Sequence, residues 1–184
     1  MKKLLSSFSS AAGFTLIELL VVIGILGILA SALVATIDPF EQLNKAQDTN
    51  YKNISVEFLN ANLRYYTTHT ALVWDSTANG GAGCYSSTDL SSVPLGTLTT
   101  CINSLVSEGE LKQGFLSFSG LTKIWATEPN PQTGRQNDII ACFKPTSKSQ
   151  QKDKATQYNQ DGSIATNCKS ATPPGTADCY WCAQ

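Results

Sequence analysis

Histidine occurs once among the 184 residues, and that scarcity removes several kinds of chemistry together. No histidine-rich metal site can be built, and a catalytic triad needing an imidazole base would rest on His69 alone. Basic residues are also few: 13 Lys and Arg stand against 14 Asp and Glu, a formal net charge of −1. No basic stripe of the kind that neutralises phosphates runs along the chain, so nucleic acid binding is not expected. Charge is absent altogether between Glu18 and Asp38, and no cysteine precedes Cys84. There is no internal repeat, which excludes solenoid architectures.

What fills the charge-free stretch is the apolar run "FTLIELLVVIGILGILA" and its continuation to Ile37. As a helix, residues 14–37 would cover about 36 Å, enough to cross a hydrocarbon core of about 30 Å. Lys2 and Lys3 precede the run, so the positive-inside bias predicts a cytoplasmic N-terminus and an extracytoplasmic remainder. The six cysteines, Cys84, Cys101, Cys142, Cys168, Cys179 and Cys182, all lie in that remainder. Their even number agrees with an oxidising location and makes all six disulfide candidates. Six cysteines allow 15 pairings. The expected one joins Cys84 to Cys101, which bracket one loop, and pairs the last four among themselves.

Glu18 is the residue that separates the readings of the apolar run. A cleaved secretory signal fits Ala30-Ser31-Ala32, a small-x-small site, and a plain uncleaved anchor fits the length. In both, an acid inside the apolar block only weakens insertion. A third reading cuts the chain between Gly13 and Phe14, which places a new amino group one helical turn from Glu18. The basic leader, Gly13, the aromatic Phe14, Glu18 and the long run together resemble the class III signal of type IV pilins and pseudopilins. The resemblance implies that a prepilin peptidase cuts after Gly13 and methylates Phe14, and that Glu18 attracts the free amine of a neighbouring subunit during filament assembly. The leader departs from the usual pattern in having Ser9-Ser10-Ala11-Ala12 before the glycine, with no basic residue beside the cut. Gly24 and Gly27 fit either close helix packing or, by the resemblance, local unwinding within a filament.

Beyond Pro39, expected to kink the helix or interrupt one hydrogen bond, the pattern becomes amphipathic. Phe40, Leu43, Tyr51, Ile54, Phe58, Leu59, Leu63 and Tyr66 recur at helical spacing, which predicts a helix lying on a core and ending near residues 67–70. A continuous rod from Phe14 to about Thr68 would measure roughly 80 Å. "STANGGAG" reads as a loop, and residues 98–112 as a short helix stopped at Gly109. Strands are predicted at residues 115–118, 123–127 and 138–144, the last two joined by a turn through "EPNPQTGRQN", and a hairpin turns at Asp161-Gly162. The tail, residues 170–184, is read as irregular except near Tyr180 and Trp181. The fold class is therefore α+β: a long N-terminal helix, half transmembrane and half amphipathic, packed against a C-terminal antiparallel sheet. Its expected divisions are a cleaved leader at 1–13, a membrane and filament-core helix at 14–37, its amphipathic continuation at 38–70 and a disulfide-containing head at 71–184.

No constellation points to an enzyme: no catalytic residue, metal ligand set or cofactor site is expected. Cys179-Tyr180-Trp181-Cys182 has redox or zinc spacing, but a single short-spaced pair in an oxidising compartment reads as disulfide cysteines. Asp153, Asp161 and Asp178 are too scattered for a calcium loop and read as turn residues. His69 and Glu57 are not brought together by any pattern. Asn53-Ile54-Ser55 forms a sequon on a predicted helix and is read as chance. Trp74, Trp125 and Trp181 are expected in the core or on a sheet face. The resemblance implies a filament subunit for adhesion, motility or DNA uptake, with a type II secretion pseudopilin as the alternative and an anchored or secreted binding domain as a further one. Its implied partners are the prepilin peptidase, other pilin subunits, a pilus or secretion assembly platform and the inner membrane.

Overall fold

The computed structural model describes residues 13–36, 38–75, 84–85, 90–128, 138–166, 168 and 178–184. The chain divides into two compact units, residues 1–39 and 40–184.

In the first unit, α1 (Leu16–Thr36) is apolar on all sides, the pattern of a helix meant for an apolar surrounding. It passes unbroken through Gly24 and Gly27, where an added Cβ would meet nothing within 4 Å. The span Leu16–Val34 is long and apolar enough to cross a membrane. Its 19 residues cover about 28 Å. None of that span is buried within the chain.

The apolar helix is followed by the amphipathic one, with Pro39 at the start of the second, where the sequence predicts a kink or a lost hydrogen bond. α1 stops at Thr36, and α2 (Pro39–His69) opens on the proline itself. Proline suits the first helical position, where its missing N–H would have no partner and its fixed φ fits the helix. α2 ends with Thr70 at φ 57°, after a run of threonines poor in helix propensity.

The second unit packs α2 on a five-stranded antiparallel sheet of order β1-β2-β3-β5-β4, with β1 Val93–Pro94, β2 Ile124–Thr127, β3 Ile140–Phe143, β4 Thr156–Tyr158 and β5 Tyr180–Ala183. Side chains alternate across it as the pleat demands. Ile124, Ala126, Ala141, Phe143 and Ala183 enter the main core with Tyr51, Phe58, Leu59 and Tyr65 of α2, while Ile140, Cys142, Tyr180 and Cys182 form a smaller cluster with Trp125 and Tyr158. The Tyr51 ring lies 5.5 Å from that of Phe143, and Phe58 stacks on Phe115 at 6.4 Å. Trp74 is fully buried and its indole N–H donates to Glu128 at 3.0 Å.

α3 (Thr99–Ser107) is followed by Gly109 at φ 78°, the stop that the sequence marks. The hairpin at Asp161-Gly162 also forms: Gly162 has φ 80°, and the Asn159 N–H donates to the Ser163 carbonyl at 2.8 Å. A Cβ on Gly162 would come within 2.8 Å of the Ile140 side chain, so glycine both makes the turn and lets it lie on the sheet. The turn predicted between β2 and β3 lies outside the described residues, as does the loop at 76–83.

Two expectations are corrected. Residues 115–118 are not a strand; Gln113–Ser117 form a 3-10 helix. The Ser117 hydroxyl donates to the Gly114 carbonyl at 2.6 Å, closing the turn locally. Only Phe115 of this stretch is buried, so its apolar residues do not alternate between two covered faces. The apolar stripe of α2 is also covered over less than its length: the head buries side chains of the helix only from Asp48 onward, meeting the earlier turns through polar contacts to Glu41, and leaves Leu63 half-exposed farther along. Phe40 is 75 % exposed, Leu43 61 % and Leu63 49 %. The covered face carries Asp48, Ser55, Ala61, Asn62 and Tyr65 instead, beside Tyr51, Phe58 and Leu59.

Candidate functional site

The first residues of α1 hold the candidate processing and assembly site. Gly13 and Phe14 precede the helix in non-helical backbone and are exposed, Phe14 at 83 %. Exposure and irregular backbone are what a peptidase needs at a scissile bond.

Thr15 and Glu18 close the helix end on themselves. The Glu18 carboxylate accepts from the Thr15 N–H at 2.9 Å and from the Thr15 hydroxyl at 2.8 Å, both on Oε2. The Glu18 N–H in turn donates to the Thr15 hydroxyl oxygen at 3.3 Å. This reciprocal pattern is a capping box: the N-cap threonine satisfies a free N–H of the first turn, and the acid three residues on satisfies the N-cap N–H. A negative charge there also meets the positive end of the helix dipole. The sequence carries this signal openly as Thr-x-x-Glu ahead of an apolar run. Thr15 is the residue missing from the sequence-based site, and Glu18 has a role within its own helix besides any role between subunits.

Chemically, the arrangement offers an exposed peptide bond in non-helical backbone, an acid one turn beyond it and an apolar surface following both. The carboxylate accepts from the N–H of the Phe14–Thr15 peptide, one residue beyond the nitrogen that cleavage behind Gly13 would free.

The cysteines form three disulfides: Cys84–Cys101, Cys142–Cys182 and Cys168–Cys179. The two cysteines of the Cys-x-x-Cys segment therefore have different partners, and no redox pair exists within it. Cys142 and Cys182 face each other across β3 and β5. Among the described residues no group of three or more His, Cys, Asp or Glu is placed to hold a metal ion.

The remaining candidates sit in ordinary structural settings. Asp161 accepts from the N–H and hydroxyl of Ser163 at 2.9 and 2.6 Å, which holds its carboxyl below the usual range. Asp153 accepts from the Ala155 N–H at 3.0 Å, and Asp178 pairs with Lys144. His69 stacks on Tyr65 at 3.9 Å. Trp125 meets Tyr180 edge to face at 5.6 Å, and the Lys52 ammonium lies 5.1 Å from the Trp181 ring. Asn53 is exposed while Ser55 of the same sequon is fully buried.

Residues 8–34 match the family model of the prokaryotic N-terminal methylation motif. No curated protein and no solved structure matches the chain.

Proposed function

We propose that this chain, which carries the class III signal of type IV pilins and pseudopilins, is a filament subunit that polymerises through α1. The motif marks a pilin-like or pseudopilin precursor of the kind that is cleaved and methylated at its N-terminus. In this reading the prepilin peptidase cuts between Gly13 and Phe14, the subunit waits in the inner membrane with its leader in the cytoplasm, and an assembly platform draws it into the polymer. The expected divisions follow: leader 1–13, core helix 14–37, continuation 38–70, head 71–184.

The observation that carries the reading is the conjunction at α1. A helix apolar on every side, unburied within its own chain, begins directly after the exposed Gly13–Phe14 junction with a carboxylate fixed in its first turn. In a membrane lipid covers such a surface; in a filament other copies of α1 cover it, and the association is driven by packing. A fixed carboxylate then sets register, because a subunit displaced along the filament leaves its charge unpaired in apolar surroundings. The head, tied by disulfides and bearing the sheet, faces solvent.

A surface pilus for adhesion, motility or DNA uptake is the preferred filament, since the head is sizeable and holds all six cysteines. A secretion pseudopilin shares the same motif. Fibres sheared from the cell surface that contain this chain, and that vanish in Glu18→Ala while the precursor is still inserted and cut, support the pilus reading. Lost protein export with no surface fibre assigns the chain to a secretion system. Normal polymers from Glu18→Ala overturn the role of the carboxylate.

A further inference from the structure

The segment between β3 and α4 (Lys148–Gln151) reaches α2 through two carboxylates. Asp48 is wholly buried and accepts from the Thr146 N–H at 2.9 and 3.2 Å to its two oxygens, and from the Thr146 hydroxyl at 2.9 Å. It also accepts from the Ser147 N–H at 2.8 Å and the Ser147 hydroxyl at 2.6 Å. These donors are all neutral, so the buried charge is held by converging N–H and O–H groups, the condition under which a buried anion is tolerated.

Two helical turns earlier on the same face, Glu41 accepts from the Lys148 N–H at 3.1 Å and the Ser149 N–H at 3.2 Å. Four successive backbone N–H groups, residues 146–149, thus point at acids of α2 that lie 98 to 108 positions away in sequence. Pro145 is buried behind them, and its carbonyl accepts from the Gln151 amide at 3.1 Å, so the segment is braced from both ends.

Asp48 is the first buried residue of α2; none from Pro39 to Gln47 is buried. Helix turns without a buried apolar face have little to hold them formed. We propose that residues 145–149 act as a latch on the first turns of α2. Closed on Asp48 and Glu41, it keeps residues 40–47 helical; open, it releases them as a local unit while the helix above stays folded. The same turns display Phe40 and Leu43, both strongly exposed, so the latch decides whether that apolar pair is presented from a formed helix. The inference stands on the second unit alone and does not require the filament reading.

The test is amide hydrogen exchange on the full chain in detergent micelles, comparing wild type with Glu41→Ala and Asp48→Asn. Asp48→Asn sets an amide NH2 against the N–H and O–H donors. Exchange at residues 146 and 147 and at 43–47 should rise at least tenfold, with residues 55–66 unchanged. Glu41→Ala leaves the core intact, and it should produce the same rise at residues 148, 149 and 43–47. That confined acceleration in Glu41→Ala carries the proposal even where Asp48→Asn fails to fold. Wild-type rates at 43–47 in Glu41→Ala, or equal acceleration throughout the head, overturn it.

Discussion

Replacing both Cys142 and Cys182 by alanine should weaken the head more than removing either other disulfide. The bond joins neighbouring residues of β3 and β5 across a sequence separation of 40, against 17 for Cys84–Cys101 and 11 for Cys168–Cys179. If a disulfide acts by restricting the unfolded chain, the longest closed loop contributes most: about 4 kcal/mol at 25 °C, against about 3 kcal/mol for each shorter one. Native domains have about 5–15 kcal/mol in all, so the loss is a large share. For a unit of this size it corresponds to a fall in Tm of roughly 10 °C. The assay is thermal and denaturant unfolding of the full chain in detergent, followed by tryptophan fluorescence. Trp125 pairs with Cys142 in the sheet, and Trp181 adjoins Cys182, so the signal reports on the altered strands. A fall smaller than that of the Cys84→Ala/Cys101→Ala variant would refute the loop-length reasoning and place the bond's contribution in the native state.

Glu18→Gln keeps an acceptor for Thr15 but removes the charge, whereas Thr15→Val removes the cap and keeps the charge. If the carboxylate acts between subunits, Glu18→Gln should lose sheared polymer and Thr15→Val should retain it; the opposite pattern means that the acid serves only its own helix. Phe58→Ala, at a fully buried position stacked on Phe115, should cost about 3–5 kcal/mol, read from denaturant midpoints; under 1 kcal/mol would show that α2 does not anchor the core there. At high pH the head should lose stability. The hydrogen bond that the Lys144 ammonium donates to Asp178 raises Lys144 above 10.5, and burial, then the Asp178 charge, raises Tyr180 above 10.0. Both groups hold their protons more tightly when folded, so their contribution is complete below about pH 10 and is lost as pH rises through the folded values. Unfolding midpoints measured across pH 9–12 should fall, and less steeply in Asp178→Asn.

The parts of the molecule legible in the sequence are those whose signal is local. The apolar run, the stop at Gly109 and the turn at Asp161-Gly162 each follow from a few adjacent residues and appear where their chemistry places them. The alternation of Ile124 and Ala126 with Trp125 likewise shows a two-faced strand. Thr15 is legible in the same way, because Thr-x-x-Glu ahead of an apolar run is a cap signal. Phe40 and Leu43 continue the apolar stripe of α2 at the right spacing; nothing in that spacing tells where the head ends. Asp48 was hidden for the converse reason. It sits among Asn, Lys and Gln like a solvated residue, and its donors, Thr146 and Ser147, arrive only through the tertiary fold. The 3-10 turn around Phe115 places that ring against Phe58, again a contact distant in sequence.

Cleavage behind Gly13, followed by assembly through the helix after it, is the step on which the proposed function rests. Intact mass and N-terminal sequencing of the protein recovered from its native membrane, from cells with and without prepilin peptidase, test it most directly. A chain starting at methylated Phe14 is expected when the peptidase is present, and one starting at Met1 when it is absent. A start near Val34, or an uncut chain in both strains, would contradict it and return the protein to the secreted or simply anchored class.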